Sequence, residues 1–311
     1  MTASDRLAAD RRWIDTALAW YFVSVWGSGF LASKVALQYA APFTMLSLRY
    51  LLGMACLIPI LLLTRPRWPD SRKDFAHVVV AGLLMHAVHL SGSHYSQYLG
   101  LSAGITALIM SLQTLATALI VSRWMREQLS LRQWVGVVLG LAGVGLVVWH
   151  KIDLRELPLG SLIGLAFGLA AITAGTLYQR TFCPTTDLMA GAFIQFAASA
   201  ATLLPLAFIF EGARVDWSWS LLGALAFLVI LASILATNAL NTLMRHGQAT
   251  RVTSLIYLTP VIAIALEMPM FGVLPSALSI FGVAVTCLGV AMVTWRNRFA
   301  PSPPSASERV K

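Results

Sequence analysis

Ten apolar runs, each about twenty residues long and separated by short polar loops, constrain this chain more than any other feature. A bilayer hydrocarbon core is about 30 Å thick, and about 20 residues of α-helix cross it. Only a helix or a closed barrel satisfies its own backbone hydrogen bonds in that medium. The runs read as spans over residues 14–36, 42–64, 75–98, 100–122, 132–150, 159–181, 186–209, 218–241, 250–272 and 276–296. They fill most of the 311 residues and leave no room for a separate soluble domain. Composition agrees: 11% of residues are charged, against about 25% in a soluble domain. A soluble enzyme, a disordered tail protein and a secreted disulfide scaffold are thereby excluded. The first run is too long for a cleaved signal peptide and is expected to stay. Residues 1–13 read as an arm, 151–158 as the loop between spans five and six, and 297–311, rich in Pro and Ser, as a disordered tail.

A net charge of +9 could suggest a nucleic-acid partner, but topology explains it better. Short cytoplasmic loops collect Lys and Arg. With the N-terminus inside, the inner segments hold 17 of the 22 cations, including Arg65, Arg67, Arg72, Lys73, Arg123, Arg126 and Arg132. The outer loops hold Lys151, Arg155 and Arg214, and Lys34 and Arg49 lie within or near spans one and two. Both termini are therefore expected in the cytoplasm, with no nucleic-acid partner. The three cysteines (Cys56, Cys183 and Cys287) show no disulfide framework and no CxxC pair.

The chain also repeats itself. At an offset of 146 residues, Gly29 falls on Gly175, Pro59 on Pro205, Gly136 on Gly282, Gly143 on Gly289, Val144 on Val290 and Trp149 on Trp295. Each copy, 14–150 and 159–296, holds five spans. Five is odd, so the second copy must lie inverted in the membrane. Inverted repeats mark many secondary transporters, whose substrate sites lie near the midplane between the halves. The expected architecture is all-α, with ten transmembrane helices in two inverted five-helix repeats around a central cavity.

Several stretches resemble the drug/metabolite transporter superfamily in its EamA-type branch. They are Trp26-Gly27-Ser28-Gly29-Phe30 before Lys34, Pro42 with Leu48-Arg49-Tyr50, Ser111-Leu112, and Glu127-Gln128-Leu129-Ser130 before Gly136 and Gly143. In the second half they are Tyr257-Leu258-Thr259-Pro260-Val261 and Gly282 to Gly289-Val290. The chain departs from the family at Thr114, where Pro is frequent, and at Gly272-Val273, where Gly-Glu is frequent. The resemblance implies export of small metabolites from a bacterial inner membrane, with the YddG-type aromatic amino-acid exporters nearest in pattern.

A polar side chain in hydrocarbon is costly unless it faces a bundle interior or a water-filled cavity. The third span is the most polar, and at 3.6 residues per turn His86, His89, Ser93 and Gln97 form one stripe. That stripe reads as a cavity wall, or as helix-to-helix hydrogen bonding. Trp26 lies mid-span beside Gly27 and Gly29, which let another backbone or a ligand approach, and Ser111, Gln113 and Thr114 lie mid-span four. Tyr257 and Pro260 are the repeat mates of Ser111 and Thr114, and Pro260 is expected to interrupt its helix and free a carbonyl. Asn238 and Asn241 give span eight a polar face. The expected substrate site is Trp26, His86, His89, Ser111 and Tyr257, with Ser93, Gln97, Gln113, Asn238, Asn241 and Pro260 as cavity or gating residues. Glu267 reads either as a proton carrier or as a hydrogen-bonded structural acid near the outer interface.

Gly136 with Gly140, and Gly160 with Gly164 and Gly168, give GxxxG spacing for close helix packing. Two histidines without a nearby carboxylate or Cys make no metal site. Gly27-Ser28-Gly29 lacks the Gly-Lys-[Ser/Thr] ending of a phosphate loop, and neither G-x-S-x-G nor HExxH occurs. The expectation is thus a secondary transporter, with no cofactor, acting as a monomer on a small-molecule substrate within a lipid bilayer. An integral membrane enzyme or a channel using the polar third helix is the alternative.

Overall fold

A computed structural model describes residues 3–125, 130–153, 158–245 and 258–294. Among them the chain forms ten helical rods. They are α1 (Ala3–Ala36), α2 (Pro42–Thr64), α3 (Arg72–Tyr98), α4 (Ala103–Met125), α5 (Leu131–Asp153), α6 (Leu159–Phe182), α7 (Leu188–Glu211), α8 (219–245), α9 (Thr259–Phe271) and α10 (Ala277–Thr294). The rods follow the predicted spans in order, and the N-terminal arm continues α1 as helix from Ala3. By length and composition, α2 to α7 each contain a stretch able to cross a membrane, and α8, α9 and α10 contain shorter apolar stretches. Among the described residues one isolated bridge, Ala40 with Val215, is the only extended pairing.

Local chemistry sets the rod ends. Ser71, Asp187 and Ser218 cap α3, α7 and α8 by accepting first-turn N–H groups. Pro42 opens α2, where a missing N–H does no harm. Gly212 and Gly272, at φ +66° and +68°, close α7 and α9 in the left-handed conformation that glycine tolerates best. Three rods contain π-helical segments: Leu83–Val88 in α3, Ala207–Glu211 in α7 and Phe227–Leu235 in α8. Widened i→i+5 turns leave carbonyls less fully committed, and tyrosine hydroxyls take two of them. Tyr50 donates to the His86 carbonyl at 2.9 Å, and Tyr21 to the Leu231 carbonyl at 3.3 Å.

The rods pack in cross-chain pairs. α1 lies against α8 and α9, α2 against α7 and α8, α3 against α6 and α7, α4 against α6 and α9, and α5 against α10. α4 also meets α10; apart from that contact, replacing each rod by the one five places away returns this set of pairs to itself. Apolar side chains gain nothing by leaving lipid for one another, so such contacts depend on close approach at small residues. At the α5–α10 contact, a Cβ on Gly136 would stand 2.6 Å from the Gly289 carbonyl, and one on Gly143 would meet the Gly282 carbonyl at 2.5 Å. These four glycines are the repeat mates, paired crosswise. Gly164 lies against Gly92, and Gly168 against the His89 carbonyl, joining α3 to α6. The GxxxG reading holds at these positions.

One end of the bundle is clasped. There the segment between α1 and α2 meets the segment between α7 and α8, through the Ala40–Val215 bridge and the Asp216 N–H to the Tyr39 carbonyl. Beneath lies an apolar cluster of Ala36, Leu37, Ala40, Met45, Leu221, Ala224, Leu225 and Leu228. Two carboxylates complete the clasp. Glu211 accepts from the Phe43 and Thr44 N–H groups and the Thr44 hydroxyl at 2.7–2.9 Å. Glu267 accepts from the Ala103 and Gly104 N–H groups at 2.8 and 2.9 Å. Each acid, carried by a late rod, thus satisfies the orphan donors and complements the dipole at the N-terminus of an early one.

Candidate functional site

The polar residues of α3 occupy the middle of the bundle, bounded by α2, α6 and α7. His86 lies in the π segment, with its Nε2 3.2 Å from Gln195 Oε1 of α7. Its ring meets Tyr50 and Phe196 edge-on, at centroid distances of 5.9 and 5.2 Å. Gln195 continues the chain to Gln179 of α6 at 3.4 Å. His89 holds its Nδ1 on the Met85 carbonyl at 3.0 Å, which leaves Nε2 as the nitrogen free to meet a ligand. Ser93 and Gln97 are buried, and the Ser93 hydroxyl and both Gln97 amide atoms lack a hydrogen-bond partner. His94 is 3% exposed, and its ring nitrogens have nothing beyond an approach to the Leu90 carbonyl. Of the eight buried side-chain polar atoms without a partner among the described residues, six belong to the turn-and-a-half from Ser91 to Gln97. Buried polar atoms in proteins are otherwise almost always paired.

The other predicted residues are placed as follows. Trp26 is 44% exposed and leans on Phe22 at a centroid distance of 5.2 Å. Its neighbours divide the work: Gly27 admits Ile262 and the Thr259 carbonyl of α9, whereas Gly29, one turn from Trp26, faces nothing within 4 Å. Ser111 returns its hydroxyl to the Leu108 carbonyl at 2.6 Å, and Gln113 donates to Thr176 of α6 at 3.1 Å. Asn238 is exposed on α8. Pro260 lies in the first turn of α9, a position proline suits, and not in the interior of a described helix. Tyr257 and the Asn241 side chain lie outside the described residues. The structure places His86 and His89 one turn apart on α3, with no hydrogen bond or ring pairing among the described residues joining them to Trp26 or Ser111. Two apolar grooves on the bundle surface, beside Trp68 and Phe193 and beside Leu51 and Phe208, include none of the predicted residues. No group of three His, Cys, Asp or Glu that could hold a metal ion occurs among the described residues.

The pattern of the EamA-like transporter family matches the chain twice, over residues 16–149 and 158–295. The chain belongs to the EamA-like transporter family. It is a transporter of the membrane, and the two matches fall on the two halves of the internal repeat. The relatives include the "uncharacterized inner membrane transporter YedA" of Escherichia coli K12, 27% identical over 282 residues and 90% of each chain. The "uncharacterized transporter YdfC" of Bacillus subtilis is 24% identical over 86% of this chain and 87% of its own. A "probable amino-acid metabolite efflux pump" of Salmonella typhimurium is 21% identical over 89% and 93%. A solved crystal structure superposes with a TM-score of 0.64 at 19% identity, covering 92% of this chain and 99% of its own, which shows a shared fold.

Two features of this transporter escaped the sequence reading. Lys34 of α1 forms an ion pair with Glu267 at 2.7 Å and stands 4.6 Å over the Phe271 ring. Glu267 is therefore held by a cation and two backbone donors. The second is Arg49 of α2, whose Nη2 donates to Ser233 of α8 at 3.2 Å. Both cations lie inside apolar runs, and that position was the available signal.

Proposed function

We propose that the chain is a secondary transporter exporting small metabolites, foremost amino acids with aromatic or apolar side chains, across a bacterial plasma membrane by alternating access. The carrying observation is the packing scheme. All but one of its pairs between the halves map onto themselves when the halves are exchanged, which supports two related repeats, and a carboxylate clasp closes one end. A carrier of this kind rocks its halves about a site between them. The cation distribution supports placing the clasped end outside, with both termini cytoplasmic.

Within this reading Trp26, His86, His89, Ser111 and Tyr257 line the cavity, with the buried polar face of α3 as its wall. Trp26 and Tyr257 offer flat surfaces to an apolar side chain, and neutral imidazoles hydrogen-bond a zwitterionic head. The relatives named as amino-acid metabolite efflux pumps support the substrate class. The test is counterflow of labelled amino acids in proteoliposomes, with and without a pH gradient, with the product recovered and identified. Unchanged substrate accumulating in loaded vesicles is the expected result. Chemical conversion, single-channel conductance, or no flux for any amino acid would refute the reading.

A further inference from the structure

Two cations, Lys34 and Arg49, lie part-buried between the rods, and their circumstances differ. Lys34 has Glu267. Arg49 has the Ser233 hydroxyl and, among the described residues, no carboxylate within ion-pair distance. Glu211 and Glu267 are engaged with backbone donors at the clasped end. A guanidinium does not shed its proton to relieve burial, and an uncompensated charge in a low-dielectric interior is costly. Its five N–H donors form a planar fork suited to two oxygens of one acid group.

Position and surroundings point the same way. Tyr50, the next residue, bonds the His86 carbonyl, so Arg49 stands at the level of the α3 polar segment. His86, whose carbonyl Tyr50 holds, is one of three imidazoles carried by that segment, with His89 and His94. Ser233, its one protein partner there, belongs to α8, so the guanidinium bridges early and late rods. On α3, His94, Ser93 and Gln97 hold the buried polar atoms that lack partners.

We propose that Arg49, with the imidazoles of His86, His89 and His94, forms a carboxylate-binding site, and that the acid group of the cargo is the group this transporter requires. The proposal rests on the export reading for its statement that the bound acid is cargo. The guanidinium fork takes the two carboxylate oxygens, and an imidazole N–H adds a third donor. Among the described residues of this face, Gln97 Oε1 and the Ser93 hydroxyl offer an ammonium only neutral acceptors. The acid group is therefore essential and the α-amine dispensable, and the class is monocarboxylates with or without an amine.

The experiment uses the purified full chain in nanodiscs and two ligand series: L-phenylalanine, hydrocinnamate, L-phenylalaninamide and phenethylamine, and L-alanine, propionate, L-alaninamide and ethylamine. Thermal stabilisation against ligand concentration gives apparent affinities for the wild type, Arg49→Gln and Arg49→Lys. In at least one series both carboxylates should bind about tenfold or more tighter than the amide and the amine, as expected for a charge-assisted pair. Arg49→Gln should abolish that preference and Arg49→Lys should keep part of it, because Lys retains the charge and loses the fork. Monodispersity of Arg49→Lys guards against reading misfolding as lost binding. Equal affinity for acids and amides, or acid binding unchanged in Arg49→Gln, overturns the site. So does the absence of acid-dependent stabilisation in both series. Counterflow is measured in parallel: acid-selective binding without flux defeats the export reading and leaves the site standing, while flux that ignores the acid group does the reverse.

Discussion

Replacing Glu267 by Gln isolates the clasp from everything else in the bundle. The carboxylate is 2% exposed and accepts three charge-assisted hydrogen bonds, from Lys34 Nζ and the Ala103 and Gly104 N–H groups. An amide of the same shape keeps one acceptor oxygen and turns an NH2 toward the remaining donors. Hydrogen bonds to a charged group contribute about 1.5–3 kcal/mol each, and removing one partner of a buried pair costs about 3–5 kcal/mol. The Lys34 side chain is 20% exposed, so part of its charge finds other solvation and the lower end applies, about 3 kcal/mol. At about 2–4 °C per kcal/mol for a chain of 150–250 residues, Glu267→Gln should lower the apparent unfolding temperature by roughly 6–12 °C. Lys34→Gln should cost less, because the carboxylate keeps both backbone donors. The double variant should fall short of the sum, because the two residues share one interaction. Dye-monitored thermal unfolding of all four proteins in one detergent gives the values. A Glu267→Gln transition within about 1 °C of wild type would refute the reasoning. Downhill flux measured well below the transition should stay largely intact; its abolition in a folded protein, with loss of pH dependence, would make Glu267 the proton site.

At the α5–α10 contact, Gly143→Val should reduce the monodisperse yield, as an overpacked helix contact costs about 1–3 kcal/mol. Gly145→Ala, two residues on with nothing within 4 Å, should behave as wild type in the same chromatography. In a variant lacking the native cysteines, a membrane-impermeant thiol reagent applied outside should miss a cysteine at Ser71 and reach one at Ser102; the reverse would invert the orientation. His89→Leu should remove transport without changing expression, and Trp26→Ala should weaken uptake of large substrates more than small ones, both read by competition in vesicles.

The ten apolar runs and their order were legible because a span needs only length and hydropathy, which residues such as those in 42–64 supply without reference to any partner. The glycine seams were legible too: Gly136, Gly143, Gly282 and Gly289 fit no lipid-facing purpose and recur at one offset. The polar stripe was harder. An ideal period set His86 beside His89, Ser93 and Gln97; the π segment at 83–88 alters that period, and the partner His86 finds, Gln195 of α7, could not be read from α3 alone. Pro260, read as mid-span, lies in the first turn of a described helix, and the residues that would place it within a longer span lie outside the described ones. The Lys34–Glu267 pair joins residues 233 positions apart, and no local pattern announces such a meeting. Arg49 was set apart from the charges that fix orientation and given no role in the site, although a cation inside an apolar run asks for a partner.

The π segments make this protein sensitive to chain length in a way residue identity does not convey. Each holds a surplus residue within an otherwise α-helical rod, a small insertion that the helix has absorbed by widening. Deleting one residue from Leu83–Val88 would let the rod close into a continuous α-helix. Every side chain beyond it would then turn by about 100° relative to the stretch before it. His89, Ser93, His94 and Gln97 would keep their identities and their neighbours in sequence, yet present themselves to a different rod. A transporter built on the same residues could thus acquire a different binding wall through a single lost codon, with no substitution at all.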